Sequence, residues 1–363
     1  MSEARINGKP ALLAAAAERA AEILSHARLP VIAGLGTDIA GARASILLAE
    51  RLRGAYDHMY SARIFADLDV MRQAGLMFTT PNEARLRADV FLFIGKDLTK
   101  VWPAMMARLS PAEIPPFDLA REPRKLLWIA PARGSADVGG LAIQILDTSN
   151  LHTALAALRA RAAGRPVRCA KSMLRKLDEF AGVLKNARFG VAVWGGDELD
   201  SPAIEMLHGL IRDLNKTTRF SGLPLGCDSN ASGVVQTSGW MTGFPVRTSF
   251  GRGFPEHDTW RFDATRMIES GEADAALWIS AYGPATPPWK KNIPLVALAS
   301  PQTAFAREPE VRIEVGCPGI DHDGAEFSRE TASIVARKAS QPSQAFPVAA
   351  VIGEIAKHLA GDA

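Results

Sequence analysis

The chain has 363 residues, 47% of them hydrophobic and 22% charged, and carries a formal net charge of +3 at pH 7. These values suit a globular protein with two domains, and so small a charge does not indicate nucleic-acid binding. Its apolar runs are too short to span a bilayer, and the N-terminus lacks a signal-peptide pattern. The three cysteines are widely separated and include no CxxC pair. The sequence therefore predicts a cytoplasmic protein without a disulfide framework, zinc ribbon or iron–sulfur cluster.

The first half predicts alternating helices and buried strands. Residues 11–27 are rich in Ala, Glu and Arg, which indicates a helix. A short strand, "LPVIAG", follows, and Asp38 is placed to cap a helix over residues 39–53. The next strand candidates, "ADVFLFIG" and "RKLLWIAP", are continuous apolar runs of the kind buried on both faces of a parallel sheet, and "LAIQILDT" is a further strand candidate.

The second half repeats this plan. The segments that begin at Ala27 and Ala187, "ARLPVIAGLG" and "ARFGVAVWGG", share their first two residues, a strand valine and the final glycine. Two further buried strands, "ADAALWISAY" and "IPLVALAS", come later. We expect two Rossmann-like, doubly wound α/β domains with mainly parallel sheets. The predicted domains are residues 1–165 and 166–363, the second ending in a β-hairpin and a helix.

The familiar catalytic motifs are missing. "GLGTDIAG" follows a strand and opens a helix, but Ile39 stands where the dinucleotide fingerprint needs its third glycine, so a tight βα turn is favoured. The sequence has no GxSxG elbow, Walker lysine or HExxH motif. His58 follows a predicted strand, but a histidine without an identifiable partner is more often structural.

A glycine-rich polar stretch covers residues 226–258. Glycine allows close approach of the backbone to a ligand or a neighbouring helix, and long segments of this kind are usually functional or disordered. Aromatic residues within the stretch argue against disorder. Its candidate binding residues are Asn230, Gly233, Gly239, Gly243 and Arg247.

Five segments of the chain resemble, in the same order, the molybdopterin oxidoreductase family and, within it, the B subunit of formylmethanofuran dehydrogenase. Together they cover nearly the whole chain, so the resemblance implies the fold of that protein. The segments are "LPVIAGLGTDIAGARASILLAERLRGAYD", "RADVFLFIGKDLTKVWPAMMARL", "TSGWMTGFPVRTSFGRGFP", "ATRMIESGEADAALWIS" and "GIDHDGAEFSRETASIV".

The chain departs from the redox members of that family where they bind metal. The family's redox subunit has a four-cysteine cluster motif near its N-terminus and a cysteine or selenocysteine metal ligand after an early strand. Here no cysteine precedes Cys169, and His58 and Ser61 occupy the ligand region. A serine hydroxyl cannot replace a soft thiolate without a large change in metal affinity. The resemblance thus implies a truncated molybdopterin-oxidoreductase-like fold that binds no metal or cofactor, with a vestigial pterin region at residues 230–247.

Without the redox ligands, the chain most resembles the B subunit of the methylotroph formyltransferase/hydrolase complex. The resemblance implies A, C and D subunits as partners, and a formyl group that passes from a tetrahydropterin carrier to a methanofuran-type carrier before hydrolysis to formate. It places hydrolysis on the A subunit and formyl transfer on the D subunit. We therefore expect a non-catalytic assembly subunit in one-carbon metabolism. The alternatives are a tungsten- or molybdenum-pterin dehydrogenase subunit and a stand-alone small-molecule binding protein.

A basic stretch over residues 151–190 contains nine Lys or Arg residues and two acidic residues. Such a stretch is usually a solvated helix face. The resemblance adds a functional alternative, because methanofuran-type carriers bear acidic glutamyl tails that cations could steer. The candidates for this role are Arg168, Lys171, Arg175 and Lys176.

Overall fold

The computed structural model describes residues 3–96, 98–110, 115–117, 122–131, 142–195 and 199–359. No helix in these ranges is long and apolar enough to cross a membrane. The strands are β1 (Ala4–Ile6), β2 (Lys9–Ala11), β3 (Pro30–Gly36), β4 (Ala55–Tyr56), β5 (Val90–Ile94), β6 (Lys125–Ile129), β7 (Ile143–Leu146), β8 (Gly190–Gly195), β9 (Phe220–Leu225), β10 (Thr248–Ser249), β11 (Glu256–His257), β12 (Ala275–Ser280), β13 (Leu295–Ala299), β14 (Val311–Glu314), β15 (Gly324–Ser328) and β16 (Ser333–Arg337).

Helices alternate with these strands. They are α1 (Leu13–Ser25), α2 (Ile39–Arg51), α3 (Ser61–Ala74), α4 (Pro81–Arg87), α5 (Leu98–Val101), α6 (Met105–Leu109), α7 (Leu151–Ala162), α8 (Lys171–Lys185), α9 (Ser201–Leu214), α10 (Ala231–Thr242), α11 (Ala264–Ser270) and α12 (Val348–His358).

The chain forms two compact units, and each is discontinuous in sequence. The first unit contains Met1–Ser61, Asp228–Phe327 and Ile334–Ala363, and the second contains Ala62–Cys227 and Ser328–Ser333. This differs from the predicted division at residues 165 and 166. The physical reason is strand pairing over a long sequence distance, because β3 lies beside β12, with Val31 opposite Ala276. The first sheet is therefore completed only by strands that follow the second unit in sequence.

The second unit is built on a five-stranded sheet, ordered β7-β6-β5-β8-β9, in which every pair is parallel. Numbered along the chain, this is the 3-2-1-4-5 order of dinucleotide-binding folds. Its central strands β5, β6 and β8 are buried on both faces along almost their whole length, as the sequence predicts, whereas the edge strand β7 is partly exposed. Helices α7, α8 and α9 pack on one face and α4, α5 and α6 on the other.

The first unit is built on a nine-stranded sheet, ordered β11-β10-β4-β3-β12-β13-β14-β1-β2. Its centre, from β4 to β14, is parallel, whereas the pairs at both edges are antiparallel. Numbered by their order in the chain, the five parallel strands lie in the order 2-1-3-4-5 across the sheet, which is the flavodoxin-like order. Helix α11 packs on one face of this sheet, with Met267 and Ile268 against Trp278 in the core.

The predicted mixed α/β fold with mainly parallel sheets is confirmed. The side chain of Asp38 caps α2 as expected, accepting a hydrogen bond of 2.9 Å from the backbone N–H of Gly41. The C-terminal hairpin is present as the two-stranded sheet of β15 and β16, and it precedes α12. The glycine-rich stretch differs from a simple loop, since it contains the twelve-residue helix α10.

Candidate functional site

The candidate site lies in the first unit, where β3, β4 and β12 end. In a 2-1-3-4-5 sheet the ligand crevice opens beyond the carboxyl ends of the first and third strands, here β3 and β12. Gly36 and Ser280 pair at those ends, and a Cβ placed on Gly36 would lie 3.4 Å from the Cβ of Ser229. The loop after β4, which carries His58, and the turn before α10 therefore meet at the crevice.

Asp57 anchors the loop after β4. Its buried carboxylate accepts hydrogen bonds from the backbone N–H of His58 at 2.9 Å and of Ala264 at 3.1 Å, and also from the hydroxyl of Ser61. Burial raises the pKa of Asp57 to about 6, while the charge of Arg247 acts in the opposite direction. This carboxylate ties together three segments that are far apart in sequence.

Arg247 is held by two carboxylates. Its guanidinium lies 3.4 Å from Asp57, forms an ion pair with Asp263 and donates to the backbone oxygen of Thr259 at 2.5 Å. The residue has a left-handed backbone, with φ of 59°. Arg247 thus connects the β4 loop to the segment before α11, and its charge is neutralised within the chain.

His58 is buried and neutral. Its Nδ1 accepts a hydrogen bond of 3.0 Å from the backbone N–H of Tyr60, so the ring proton lies on Nε2, which donates to the backbone oxygen of Ser229 at 3.2 Å. Burial lowers the pKa of His58 to about 4. Both ring nitrogens are therefore committed to partners inside the chain.

Asn230 joins the turn before α10 to two other segments. Its Nδ2 donates to the backbone oxygen of Thr37 at 2.8 Å, and its Oδ1 accepts from the backbone N–H of Phe327 at 2.9 Å. Ser229 and Asn230 both have left-handed backbones, with φ of 53° and 57°. Asn tolerates this conformation better than most residues, so its side chain and its backbone both suit the position.

The three candidate glycines have different structural roles. A Cβ on Gly233 would lie 2.2 Å from the Asn230 Oδ1, so this helix position has no space for a side chain. Gly243 ends α10 with a left-handed φ of 79°, which glycine adopts at no steric cost. Gly239 has no atom within 4 Å of its would-be Cβ. Only Gly233 and Gly243 are therefore required by the local geometry.

The four basic candidates lie in the second unit and are all exposed. Lys171 begins α8, a helix with no side-chain cap and no acidic residue in its first turn. Arg175 and Lys176 follow on the next turn, and Arg168 lies just before the helix. Helix N-termini favour negative charge, so clustered cations there leave a positive field directed towards solvent. Among the described residues none of the four has a carboxylate within ion-pair distance.

Sequence reasoning identified His58, Ser61, Asn230 and Arg247, and the structure brings all four into the first unit around the crevice. Sequence reasoning missed Asp57, which contacts three of the four: His58, Ser61 and Arg247. The available signal was its place directly before His58 at the end of a predicted strand, where polar side chains usually converge.

Comparisons with known proteins agree with this architecture. The B subunit of the formyltransferase/hydrolase complex Fhc of Methylorubrum extorquens is 36% identical over 353 residues, which is 93% of this chain and 92% of that protein. The chain belongs to the family of B subunits of formyltransferase/hydrolase complexes. The predicted resemblance is thereby confirmed. No family model matches the chain.

The structural comparison extends the match to three dimensions. A chain of the crystal structure of the FhcABCD complex from Methylorubrum extorquens, determined with methylofuran, superposes with a TM-score of 0.88 at 34% identity and 98% coverage of both chains. More distant members are the B subunits of tungsten-containing formylmethanofuran dehydrogenase 2. Those of Methanocaldococcus jannaschii and Methanococcus maripaludis are 26% and 24% identical over 91% and 89% of this chain.

The residues of this chain do not fit the tungsten named for the formylmethanofuran dehydrogenase relatives. Both nitrogens of His58 are used internally, and the Ser61 hydroxyl donates to Asp57 while accepting the His58 backbone N–H at 3.2 Å. A metal would have to break these bonds to gain a ligand. No group of three or more His, Cys, Asp or Glu residues within the described ranges could hold a metal ion.

Proposed function

We propose that this chain is the non-catalytic B subunit of a formyltransferase/hydrolase complex, assembled with A, C and D subunits. The complex acts on a methanofuran-type carrier in the one-carbon pathway from formaldehyde to formate, with formyl groups supplied by a tetrahydropterin carrier. The observation that carries this proposal is the His58 site. The crevice lies at the ligand-binding edge of a fold that the chain's sequence relates to tungsten-containing dehydrogenases, but its candidate metal ligand is an internally bonded, neutral imidazole.

The experiment is co-expression of the full chain with the A, C and D subunits from its own source. We expect a stable complex with formyltransferase and hydrolase activity and with tungsten and molybdenum far below one equivalent per complex. Stoichiometric metal with extractable pterin would favour the dehydrogenase alternative. A chain that stays monomeric in the presence of the other subunits would favour the stand-alone binding protein.

The exposed cations around the N-terminus of α8 support a further role for this chain. Arg168, Lys171, Arg175 and Lys176 are proposed to attract the acidic tail of the carrier by long-range electrostatics. Such steering acts through the summed field, so it needs no fixed contact with the tail.

The steering proposal is tested by charge reversal in the assembled complex. Lys171→Glu with Arg175→Glu should raise the Michaelis constant for the carrier and reduce its dependence on ionic strength. The control reverses Arg43 and Arg219, two exposed cations elsewhere on the chain, and changes the net charge equally. Equal effects in the two variants would rule out local steering.

A further inference from the structure

Four large aromatic side chains are exposed within one short part of the first unit. Trp240, Phe244, Phe254 and Trp260 are 64%, 39%, 53% and 68% exposed, respectively. The chain has seven tryptophans, and the other five are buried or half-buried. We call these four residues the aromatic face. Clustered exposure of this kind differs from the scattered apolar residues of ordinary surfaces.

The residues of the aromatic face precede and follow β11 in the chain, and β11 is the outermost strand at one edge of the nine-stranded sheet. Phe244 stacks on His257 of β11, with ring centroids 6.0 Å apart. Trp240 lies one helical turn before Phe244, near the end of α10. Phe254 and Trp260 lie just before and just after β11. An outermost strand also leaves backbone groups available for pairing with another chain.

Two residues of the aromatic face, Trp260 and Phe244, are held in place by contacts within the chain. The guanidinium of Arg266 lies 4.4 Å from the ring centroid of Trp260, and Glu272 fixes that guanidinium through hydrogen bonds of 2.6 and 2.8 Å. The backbone oxygen of Phe244 accepts from Ser238 Oγ at 2.7 Å. Such rigidity lowers the ordering cost of association, as expected of interface anchors.

The charge around the aromatic face is positive on its outward side. Arg252 is 65% exposed, whereas its partner Glu256 is 23% exposed. Arg53 and Arg261 are exposed as well. The carboxylate of Asp258 accepts hydrogen bonds from the backbone N–H groups of Trp260 and Arg261. An apolar centre with an arginine rim matches an acidic-rimmed apolar surface.

We propose that the aromatic face is the surface through which this chain binds another component of the complex, one that presents an apolar patch rimmed by Asp or Glu. The inference rests on the proposed function and names the surface that serves it. The chain's relatives are components of a complex, which favours a different component over a second copy of this chain.

The test compares matched variants of the full chain co-expressed with the A, C and D subunits. Trp240→Ser with Trp260→Ser removes both tryptophans of the face. The control is Leu12→Ser with Phe117→Ser, at sites 81% and 67% exposed outside it. Native mass spectrometry over a dilution series gives the dissociation constant. We expect it to rise by a factor of about 30 or more in the tryptophan variant, the effect of losing a single interface hot spot, and to stay unchanged in the control.

A second variant makes the test independent of any folding defect. Arg53→Glu with Arg261→Glu leaves the aromatic rings in place and should slow association and reverse its salt dependence. Wild-type affinity in both variants would overturn the inference. So would an isolated wild-type chain that dimerises through the two tryptophans, because the occupant would then be a second copy. Failure of the wild-type chain to join the other subunits would instead refute the proposed function.

Discussion

The Nε2 atom of His58 donates a hydrogen bond of 3.2 Å to the backbone oxygen of Ser229. This bond joins the loop after β4 to the left-handed turn before α10, at the crevice beyond the carboxyl ends of β3 and β12. The histidine therefore has a structural role inside the first unit. Both of its ring nitrogens are hydrogen-bonded to the protein's own backbone.

Replacing His58 should lower stability without lowering catalysis. In His58→Ala the Ser229 oxygen and the Tyr60 N–H lose their partner, at a cost of about 2 to 3 kcal/mol of unfolding free energy. Urea unfolding of the isolated chain measures this loss. The control is His152→Ala at an exposed position of α7, where we expect a change within about 0.5 kcal/mol. Formyl transfer and hydrolysis per assembled complex should match the wild type, and a selective loss of either would contradict a structural role.

Asn230 allows its backbone conformation to be separated from its side-chain bonds. Asn230→Gly keeps the left-handed backbone and loses the two hydrogen bonds to Thr37 and Phe327, which should cost about 2 kcal/mol. Asn230→Ala adds the left-handed penalty of about 1 kcal/mol. The denaturant midpoint of Asn230→Ala should therefore be lower than that of Asn230→Gly. Equal stabilities would mean that the turn relaxes when its side chain is removed.

Two glycines of α10 should respond oppositely to alanine. Gly239→Ala enters open, exposed space and should stabilise the chain by about 1 kcal/mol through helix propensity. Gly233→Ala would place its Cβ 2.2 Å from the Asn230 Oδ1. We expect it to displace that carboxamide and cost a net of about 1 kcal/mol. Thermal unfolding of the pair gives the sign of each change, and a stabilising Gly233→Ala would show that the contact with Asn230 is dispensable.

His208 should make the chain less stable in mild acid. Its ring packs edge-on against Trp194 in the second unit, at 5.2 Å between centroids, and its buried Nε2 has no hydrogen-bond partner among the described residues. Burial lowers the pKa of His208 to about 4 from the usual 6.5. The unfolded chain therefore binds the proton first as the pH falls, and the stability present above pH 6.5 is lost between about pH 6.5 and 4.

The variant that tests this acid sensitivity is His208→Leu, which removes the buried nitrogen. At pH 7 we expect stability equal to or above that of the wild type. The difference in unfolding free energy between the variant and the wild type should be about 2 kcal/mol larger at pH 5 than at pH 7, in favour of the variant, because only the wild type has the shifted pKa. A pH-independent difference between the two proteins would show that His208 does not titrate on unfolding.

Much of the fold was predictable because its strands are continuous apolar runs. Val90–Ile94 and Ala275–Ser280 are buried along their entire length, and such runs indicate parallel strands without any tertiary information. Helix α10 was not predicted, since Gly233, Gly239 and several Ser and Thr residues give it weak intrinsic propensity. Its packing against α2 and β3 stabilises it instead.

The division into units and the centre of the site depend on contacts over long sequence distances. No local pattern indicates that Asp57 pairs with Arg247, 190 residues away, or that β3 and β12 are neighbours. The position of His58 after a strand was visible in the sequence. The identity of the groups that satisfy its two nitrogens was not, and those groups are the evidence that the site is structural.

The most direct test of the central claim measures metal, pterin and activity in one preparation of the assembled complex. The full chain is purified with its A, C and D subunits, and tungsten, molybdenum and extractable pterin are quantified alongside formyl transfer and hydrolysis. We predict both activities with neither metal nor pterin in stoichiometric amounts. One equivalent of tungsten- or molybdenum-pterin, lost together with activity in His58→Ala, would contradict the account and make the crevice a working redox site.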